Sequence, residues 1–197
     1  LDGESGVVPC DGKLTAIPIG DDARFSVKGV VYTLESLLRD NCISARYQGG
    51  TLLLFRLTVD DYHRYAYAAS GVPGRPVRIP GVYHTVNPRA AEALPIYREN
   101  TREYVEIRTD RFGTMLAMEV GALLVGRIRN HPVSGPVKKG QEKGMFQFGG
   151  STVILLLEPG RVTMDADILK NSEAGEETLV KMGEKIGISA KPSGPAV

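Results

Sequence analysis

The sequence contains 197 residues, with 24 lysines and arginines against 23 aspartates and glutamates, so its formal net charge is +1. This balance offers no electrostatic case for binding nucleic acid. No apolar run approaches the roughly 18 residues that a membrane-spanning helix needs, and no signal peptide opens the chain. The length suffices for one well-buried domain, and we expect a single soluble domain over residues 1–197.

The cysteine and histidine contents exclude two further classes. Cys10 and Cys42 form no disulfide framework and suit a reducing compartment. The histidines, His63, His84 and His131, show none of the paired spacings typical of zinc sites. We therefore expect neither a disulfide scaffold nor a metal site.

The amino-terminal half is predicted to consist of short strands and one short helix. Alternating or continuous apolar patterns predict strands at residues 13–19, 25–32 and 51–59. Residues 33–40 have the apolar spacing and capping residue of a short helix, the only helix predicted before the midpoint. Residues 1–9 form a polar lead-in.

The carboxyl-terminal half continues the same pattern. Residues 71–80 are rich in glycine, proline and arginine and are predicted to be a surface connection, followed by an extended segment at 81–88. Residues 104–108 and 115–120 predict a hairpin, residues 121–128 another strand, and the segment up to Gly144 a loop. Short strands with glycine turns predict a mainly β fold, either a barrel or a sandwich.

One stretch, residues 144–157, suggests chemistry. A short alternating strand is followed by Gly149 and Gly150, then Ser151 and Thr152, and then an apolar run typical of a buried strand. Two glycines leave the Gly150 carbonyl open to close approach, so the Ser151 hydroxyl could attack the preceding peptide bond. The same four residues also suit an ordinary hairpin or bulge.

The residues around this stretch extend the pattern into a family resemblance. Residues 148–154, preceded by residues 139–144, resemble the processing site of phosphatidylserine decarboxylases. Further segments of the chain match that family in the family's order: Pro9-Cys10-Asp11-Gly12, Asp61-Tyr62-His63-Arg64, Thr85-Val86-Asn87-Pro88 and residues 120–126.

The resemblance implies a fold and an activity. It implies a barrel-sandwich core with few short helices, related to that of biotin and lipoyl carriers. It also implies autocatalytic cleavage between Gly150 and Ser151 into chains 1–150 and 151–197, with Ser151 becoming a covalent pyruvoyl group. The implied enzyme is a proenzyme (zymogen) that decarboxylates phosphatidylserine to phosphatidylethanolamine and carbon dioxide.

The resemblance further implies a homodimer in the cytoplasm, peripheral to the cytoplasmic membrane. Family members usually carry an additional amino-terminal segment that helps them meet the membrane, whereas this chain begins close to the Asp11 motif. A truncated chain and a soluble relative are both compatible with that start.

The resemblance also assigns roles to particular residues. Asp11 would orient and charge a histidine in a set with Ser151, although an aspartate before glycine is also an ordinary turn. His63 would serve decarboxylation. Many relatives carry a second histidine, the base for cleavage, where this chain has Ala66. We hypothesise that His84 replaces that imidazole; alternatively, His63 performs both tasks.

Two other functions are compatible with the sequence. A soluble pyruvoyl-dependent amino-acid decarboxylase is favoured by the short amino terminus and by the alanine at position 66. A non-enzymatic carrier or interaction module would treat residues 149–152 as a turn. A carrier needs an exposed lysine at a hairpin tip, and Lys138 and Lys139 lack the expected apolar flanks.

Overall fold

The computed structural model describes residues 5–58, 61, 63–83, 98–121, 127–147 and 151–190. The described chain is mostly antiparallel strands with few short helices, which confirms the predicted mainly β class. The strands are β1 Ser5–Val7, β2 Gly12–Pro18, β3 Phe25–Val27, β4 Val30–Tyr32, β5 Thr51–Arg56, β6 Arg64–Ala66, β7 Gly71–Pro73, β8 Val77–Ile79, β9 Val82–Tyr83, β10 Arg98–Glu99, β11 Arg102–Thr109, β12 Thr114–Val120, β13 Arg127–Asn130, β14 Glu142–Gln147, β15 Thr152–Leu157, β16 Val162–Met164, β17 Thr178–Val180 and β18 Lys185–Ser189. The helices are α1 Leu34–Leu38, α2 Asn41–Tyr47 and α3 Ala166–Glu173, and in the described ranges no helix is long and apolar enough to cross a membrane.

An eight-stranded sheet organises the structure, with β15 at its centre. The order is β17-β2-β5-β15-β12-β11-β7, and β8 also pairs with β11. Strand β15 runs antiparallel to both neighbours, so that Thr152 lies opposite Arg56 on one side and Val120 on the other. All six residues of β15 are buried because both faces of the sheet are covered, as the apolar run predicted.

The two faces of this sheet belong to two separate apolar cores. Because side chains alternate along a strand, Val153 and Leu155 enter one core, while Ile154 and Leu156 enter the other. The core around Val153 is closed by a second sheet, β13-β14-β6, whose Tyr65 and Phe146 rings lie 4.8 Å apart. The core around Ile154 is closed by α1, α2 and the β3–β4 hairpin. Stacked sheets and a helical layer thus form the sandwich.

The predicted helix at residues 33–40 is confirmed, but it is not the only helix before the midpoint. Helix α1 is capped by Thr33, whose Oγ1 accepts from Ser36 N at 3.2 Å. Arg39 then adopts a left-handed conformation with φ of 52°, which ends the helix. Asp40 begins α2 by accepting from Ile43 N at 3.0 Å. A single-helix prediction missed that Asp40 is a second amino-terminal cap.

Other predicted connections contain regular structure. Residues 71–80 are mostly exposed, as predicted for a surface connection, but they also contain β7 and β8, which both pair with β11. The segment up to Gly144 is not a loop throughout, because β14 begins at Glu142. Helix α3 and strand β17 lie in a region for which no element was predicted. The strands among these elements are stabilised by pairing with strands distant in the sequence, as β17 pairs with β2.

A buried arginine joins the sheet to the helical layer. The Arg102 side chain is fully buried, and its guanidinium donates to the carbonyls of Leu37 and Ser36 at 2.7 Å each. These carbonyls belong to α1, so Arg102 satisfies the carboxyl-terminal end of that helix. It also pairs with the buried Glu99 at 3.1 Å.

We predict that Arg102→Ala lowers the free energy of unfolding by about 3–5 kcal/mol, because a buried carboxylate loses a partner and helix carbonyls lose their donors. Urea denaturation would be measured in a Ser151→Ala background, so that the cleavage expected before Ser151 cannot divide the chain. Arg108→Ala, an exposed arginine of the same strand, is the matched control and should change the unfolding free energy by less than about 0.5 kcal/mol. Equal effects of the two substitutions would contradict the prediction.

Candidate active site

Ser151 lies immediately before the central strand. It is 1% exposed, and its carbonyl accepts a hydrogen bond from Leu57 N at 3.0 Å, which continues the ladder between β15 and β5. By alternation its side chain shares a face with Val153 and therefore points between the two stacked sheets. The sequence predicted a hydroxyl at a turn before a buried strand, and Ser151 lies at that position. Gly149 and Gly150 lie outside the described residues.

His63 approaches the same interior from the facing sheet. Its carbonyl accepts from Phe146 N at 3.0 Å, so it lies opposite Phe146 in the pairing of β6 with β14. Tyr65, two residues later, is buried in the core, and His63 therefore faces that core as well. Its Nε2 is buried and has no hydrogen-bond partner among the described residues. A buried imidazole nitrogen without a partner indicates a site for a ligand or reacting group.

Asp61 lies beside His63 in a short loop. Its Oδ2 accepts from Thr58 N at 2.6 Å and from Thr58 Oγ1 at 2.9 Å. The backbone hydrogen bond from Thr58 is the main reason that the pKa of Asp61 is lowered, and the nearby charges of Lys181 and His63 lower it further. Asp61 is therefore a carboxylate at neutral pH. The sequence motif contained this residue, but no role was predicted for it.

Asp11 is held in place by the carboxyl-terminal part of the chain. Its Oδ1 accepts from Met182 N at 2.8 Å, and its Oδ2 accepts from Lys181 Nζ at 3.1 Å. The predicted pairing of Asp11 with a histidine stays a prediction. Ala66, where many relatives have their second histidine, donates its backbone N–H to the Pro9 carbonyl at 2.8 Å. The position of the absent imidazole thus lies next to the segment that carries Asp11.

His84, the hypothesised substitute for that imidazole, lies outside the described residues. Strand β9 ends at Tyr83, so the structure neither brings His84 to Ser151 nor separates them. His131 lies on the surface with its side chain 45% exposed, where its Nε2 is 2.6 Å from Glu142. Of the two histidines that the structure describes, His63 is half-buried, with its Nε2 removed from solvent, whereas His131 is exposed.

A buried ion pair was missed by sequence reasoning. Glu119 on β12 is 1% exposed, and its Oε2 accepts from Lys143 Nζ at 2.6 Å and from Asn130 Nδ2 at 2.9 Å. Its other oxygen, Oε1, is buried without a hydrogen-bond partner among the described residues. Asn130 also accepts from the Tyr65 hydroxyl at 3.0 Å. The sequence feature that could have revealed this ion pair was Glu119 itself, a single carboxylate within the predicted apolar strand at residues 115–120.

The carboxylates of this region act on a common interior. Cys10 is fully buried, and burial raises the pKa of its thiol well above the ordinary value, with further increases from Asp11, Asp61 and Glu119. Cys10 therefore stays protonated and behaves as a small apolar side chain. Its response to all three carboxylates indicates that they lie near Cys10.

The fold and this interior define a class: a mainly β sandwich with a buried serine after paired glycines, and with a histidine on the facing sheet whose buried Nε2 has no hydrogen-bond partner among the described residues. Comparison with known proteins gives the family. The family model described as phosphatidylserine decarboxylase matches residues 2–188, and the chain belongs to the phosphatidylserine decarboxylase family.

Individual relatives agree with this membership. The chain is 48% identical over 181 residues to the protein named phosphatidylserine decarboxylase proenzyme 2 of Clostridium acetobutylicum. It is 42% identical over 184 residues to the phosphatidylserine decarboxylase proenzyme of Clostridium botulinum, and 41% identical over 184 residues to that of Desulfitobacterium hafniense. Each alignment covers 92% of this chain, and the chain spans 62% of the length of each relative.

We predict that Gly12→Ala lowers the free energy of unfolding by about 1–3 kcal/mol, because a Cβ at this position would lie 2.8 Å from the Arg56 carbonyl oxygen and would force β2 away from β5. Gly20→Ala is the control, since a Cβ there meets no heavy atom within 4 Å. Urea denaturation of both variants in the Ser151→Ala background checks the difference. An unchanged midpoint for Gly12→Ala would show that the two strands tolerate a side chain at this contact.

Proposed function

We propose that this chain is the catalytic domain of a pyruvoyl-dependent decarboxylase, which converts phosphatidylserine to phosphatidylethanolamine and carbon dioxide after cleaving its own Gly150–Ser151 bond. Membership of the decarboxylase family supports the reaction class. The observation that best supports this site for the reaction is the position of Ser151. It is a buried serine at the start of the central strand, and the unsatisfied Nε2 of His63 faces the same core.

The first reaction concerns the polypeptide itself. A base takes the proton of the Ser151 hydroxyl, and Oγ attacks the carbonyl carbon of Gly150, so that an ester replaces the amide. Loss of the Ser151 α-proton then breaks the bond between Cβ and Oγ and releases residues 1–150 with a terminal carboxylate. Hydrolysis of the resulting dehydroalanine releases ammonia and leaves a ketone on residues 151–197.

The surroundings of Ser151 suit such a group. The hydrogen bond from Leu57 N to the Ser151 carbonyl, together with the pairing of Thr152 to both neighbouring strands, would hold the new amino terminus in the sheet after cleavage. Burial excludes bulk water from that terminus. When present, the pyruvoyl ketone supplies an electron sink for a primary amine that carries a neighbouring carboxylate.

His63 is our candidate for proton transfer during decarboxylation. Its Nε2 is buried, unpartnered among the described residues and directed into the core that Ser151 faces, so a proton on this atom could be returned to the substrate carbon that loses carbon dioxide. The Asp61 carboxyl lies near it, and the charge of His63 is one of the causes that lower the pKa of Asp61. This proximity supports assigning the proton donor to His63 rather than to the exposed His131.

Asp11 is our candidate for orienting the base that starts the cleavage. Each of its oxygens accepts one described hydrogen bond, and a carboxylate has further acceptor capacity for an imidazole N–H. We propose His84 as that base, because the position of the histidine present in many relatives is occupied by Ala66. The family resemblance further leads us to propose a homodimer that contacts the cytoplasmic membrane peripherally, where its lipid substrate resides.

Mass measurement under denaturing conditions tests the proposal directly. We predict two fragments, residues 1–150 and 151–197, the second reacting with a hydrazine reagent through its ketone. Ser151→Ala should stay at the full 21.3 kDa and give no hydrazone. Turnover would be measured on phosphatidylserine vesicles and on free amino acids. Activity on free amino acids alone would show that the substrate is a soluble amino acid rather than the lipid. An uncleaved wild-type chain would refute the enzyme assignment.

Substitutions of the individual histidines should distinguish the cleavage reaction from decarboxylation. We predict that His63→Ala leaves cleavage intact and lowers the decarboxylation rate about 10²–10⁴-fold, as expected for loss of a general acid. His84→Ala should instead prevent the appearance of the two fragments. His131→Ala is the control and should affect neither reaction. Normal cleavage in His84→Ala would transfer the role of base to another residue, and full activity in His63→Ala would refute its assignment.

A further inference from the structure

The buried charge network on β12 contains an unused acceptor. Both described hydrogen bonds to the Glu119 carboxylate, from Lys143 and from Asn130, go to Oε2. Oε1 is buried and has no partner among the described residues. Buried carboxylate oxygens in folded proteins nearly always have donors, so an oxygen without one indicates a position for a donor that the protein does not itself supply.

This acceptor faces the interior that contains the proposed reacting groups. Glu119 lies opposite Val153 in the pairing of β12 with β15, and Val153 follows Ser151 by two positions. Residues directly opposite each other share a face, as do residues two positions apart on a strand. The side chains of Glu119 and Ser151 therefore point into the same space between the sheets. On the facing sheet, the Tyr65 hydroxyl donates to Asn130. The hydrogen-bond network therefore extends to β6, the strand that begins immediately after His63.

The charge of this space favours a cation. Asp11, Asp61 and Glu119 all raise the pKa of the buried Cys10 thiol by their charge, so three carboxylates act on the same interior. Lys143 and Lys181 compensate part of this charge through their hydrogen bonds to Glu119 and Asp11. Burial raises the pKa of Glu119 despite its hydrogen bond from Lys143, so a further cationic donor at Oε1 would stabilise the charged carboxylate.

A surface cleft gives access to the same network. The cleft has a volume of about 260 Å³, and its lining includes Lys143, Asn130 and Glu103. Two of these residues are the donors to Glu119 Oε2, and Glu103 accepts from Asn130 Nδ2 at 2.6 Å. The cleft therefore reaches the side chains that donate to Oε2, and Lys143 and Asn130 separate the buried carboxylate from the cleft.

We propose that Glu119 is a substrate-binding residue whose Oε1 accepts a hydrogen bond from the ammonium group of the amino-acid head of the substrate. The proposal rests on the proposed decarboxylase function and deepens it by assigning the residue that recognises the amine. Lys143 and Asn130 hold Oε2 and thereby leave Oε1 as the available acceptor. A substrate that lacks the amine loses this hydrogen bond, so Glu119 contributes selectivity for amino acids over hydroxy acids.

The test measures binding in the intact, uncleaved chain and therefore does not depend on turnover. In the Ser151→Ala background, titration calorimetry would compare O-phospho-L-serine with 3-phosphoglycerate, in which a hydroxyl replaces the amine. We expect the amine ligand to bind at least about tenfold more tightly, as for a charge-assisted hydrogen bond in a desolvated site. Glu119→Gln should reduce this preference to within about twofold.

A double variant separates ligand recognition from structural support. Glu119→Leu combined with Lys143→Met replaces the buried pair by apolar side chains of similar size, which often leaves stability unchanged or raises it. We expect this variant to keep its thermal midpoint and to lose the amine preference, while Glu103→Gln, which alters the other carboxylate on Asn130, should retain it. If the double variant does not fold, the comparison with the parent chain relies on Glu119→Gln.

The outcomes distinguish this inference from the function on which it rests. A parent chain without amine preference, or a tenfold preference that persists in Glu119→Gln or in the double variant, overturns the role of Glu119 and leaves the cleavage result untouched. Conversely, a wild-type chain that fails to cleave refutes the decarboxylase proposal, and the binding comparison still reports whether Glu119 recognises an amine. Loss of the preference in both Glu119 variants, with retention in Glu103→Gln, supports the inference.

Discussion

The structure depends on the pairing of β15 with β5 and β12 at the centre of the large sheet. Every residue of β15 is buried, and its alternating side chains contribute to both apolar cores, so the strand joins the two halves of the sandwich. Ser151 immediately precedes this strand, and its carbonyl accepts a hydrogen bond from Leu57 N. A group formed at that serine would be positioned by the most buried element of the molecule, which is how rigid scaffolds hold reactive groups in place.

A second constraint is charge inside the core. Arg102 and the Glu119–Lys143 pair are both removed from solvent, but their hydrogen bonding differs. Arg102 donates to carbonyls of α1 and to Glu99, and it has an evident structural role. Glu119 retains an oxygen without a described partner, and His63 a nitrogen. Because unsatisfied polar atoms reduce stability, their presence in the core that Ser151 faces is more readily explained by function than by packing.

Much of the fold was predictable because its signals are local. The apolar run after Ser151, the 25–32 strand pair and the hairpin of β11 and β12 all appear where periodicity placed them. Helix α2 was missed because Asp40 was interpreted as the end of one helix rather than the cap of the next. Strands β7 and β8 were missed because glycine, proline and arginine indicate loops, whereas pairing with β11 is a non-local interaction.

The mainly β class, the serine after paired glycines and the family to which those motifs belong could all be recognised from the chain alone, since each of these is a pattern of neighbouring residues. The folded chain was needed to show that Ser151 and the Nε2 of His63 are buried, that Asp11 is held by Lys181, and that Glu119 and Lys143 form a buried pair. These relations join residues distant in the chain, and their distances depend on strand register and sheet stacking. Local composition does not encode either quantity directly.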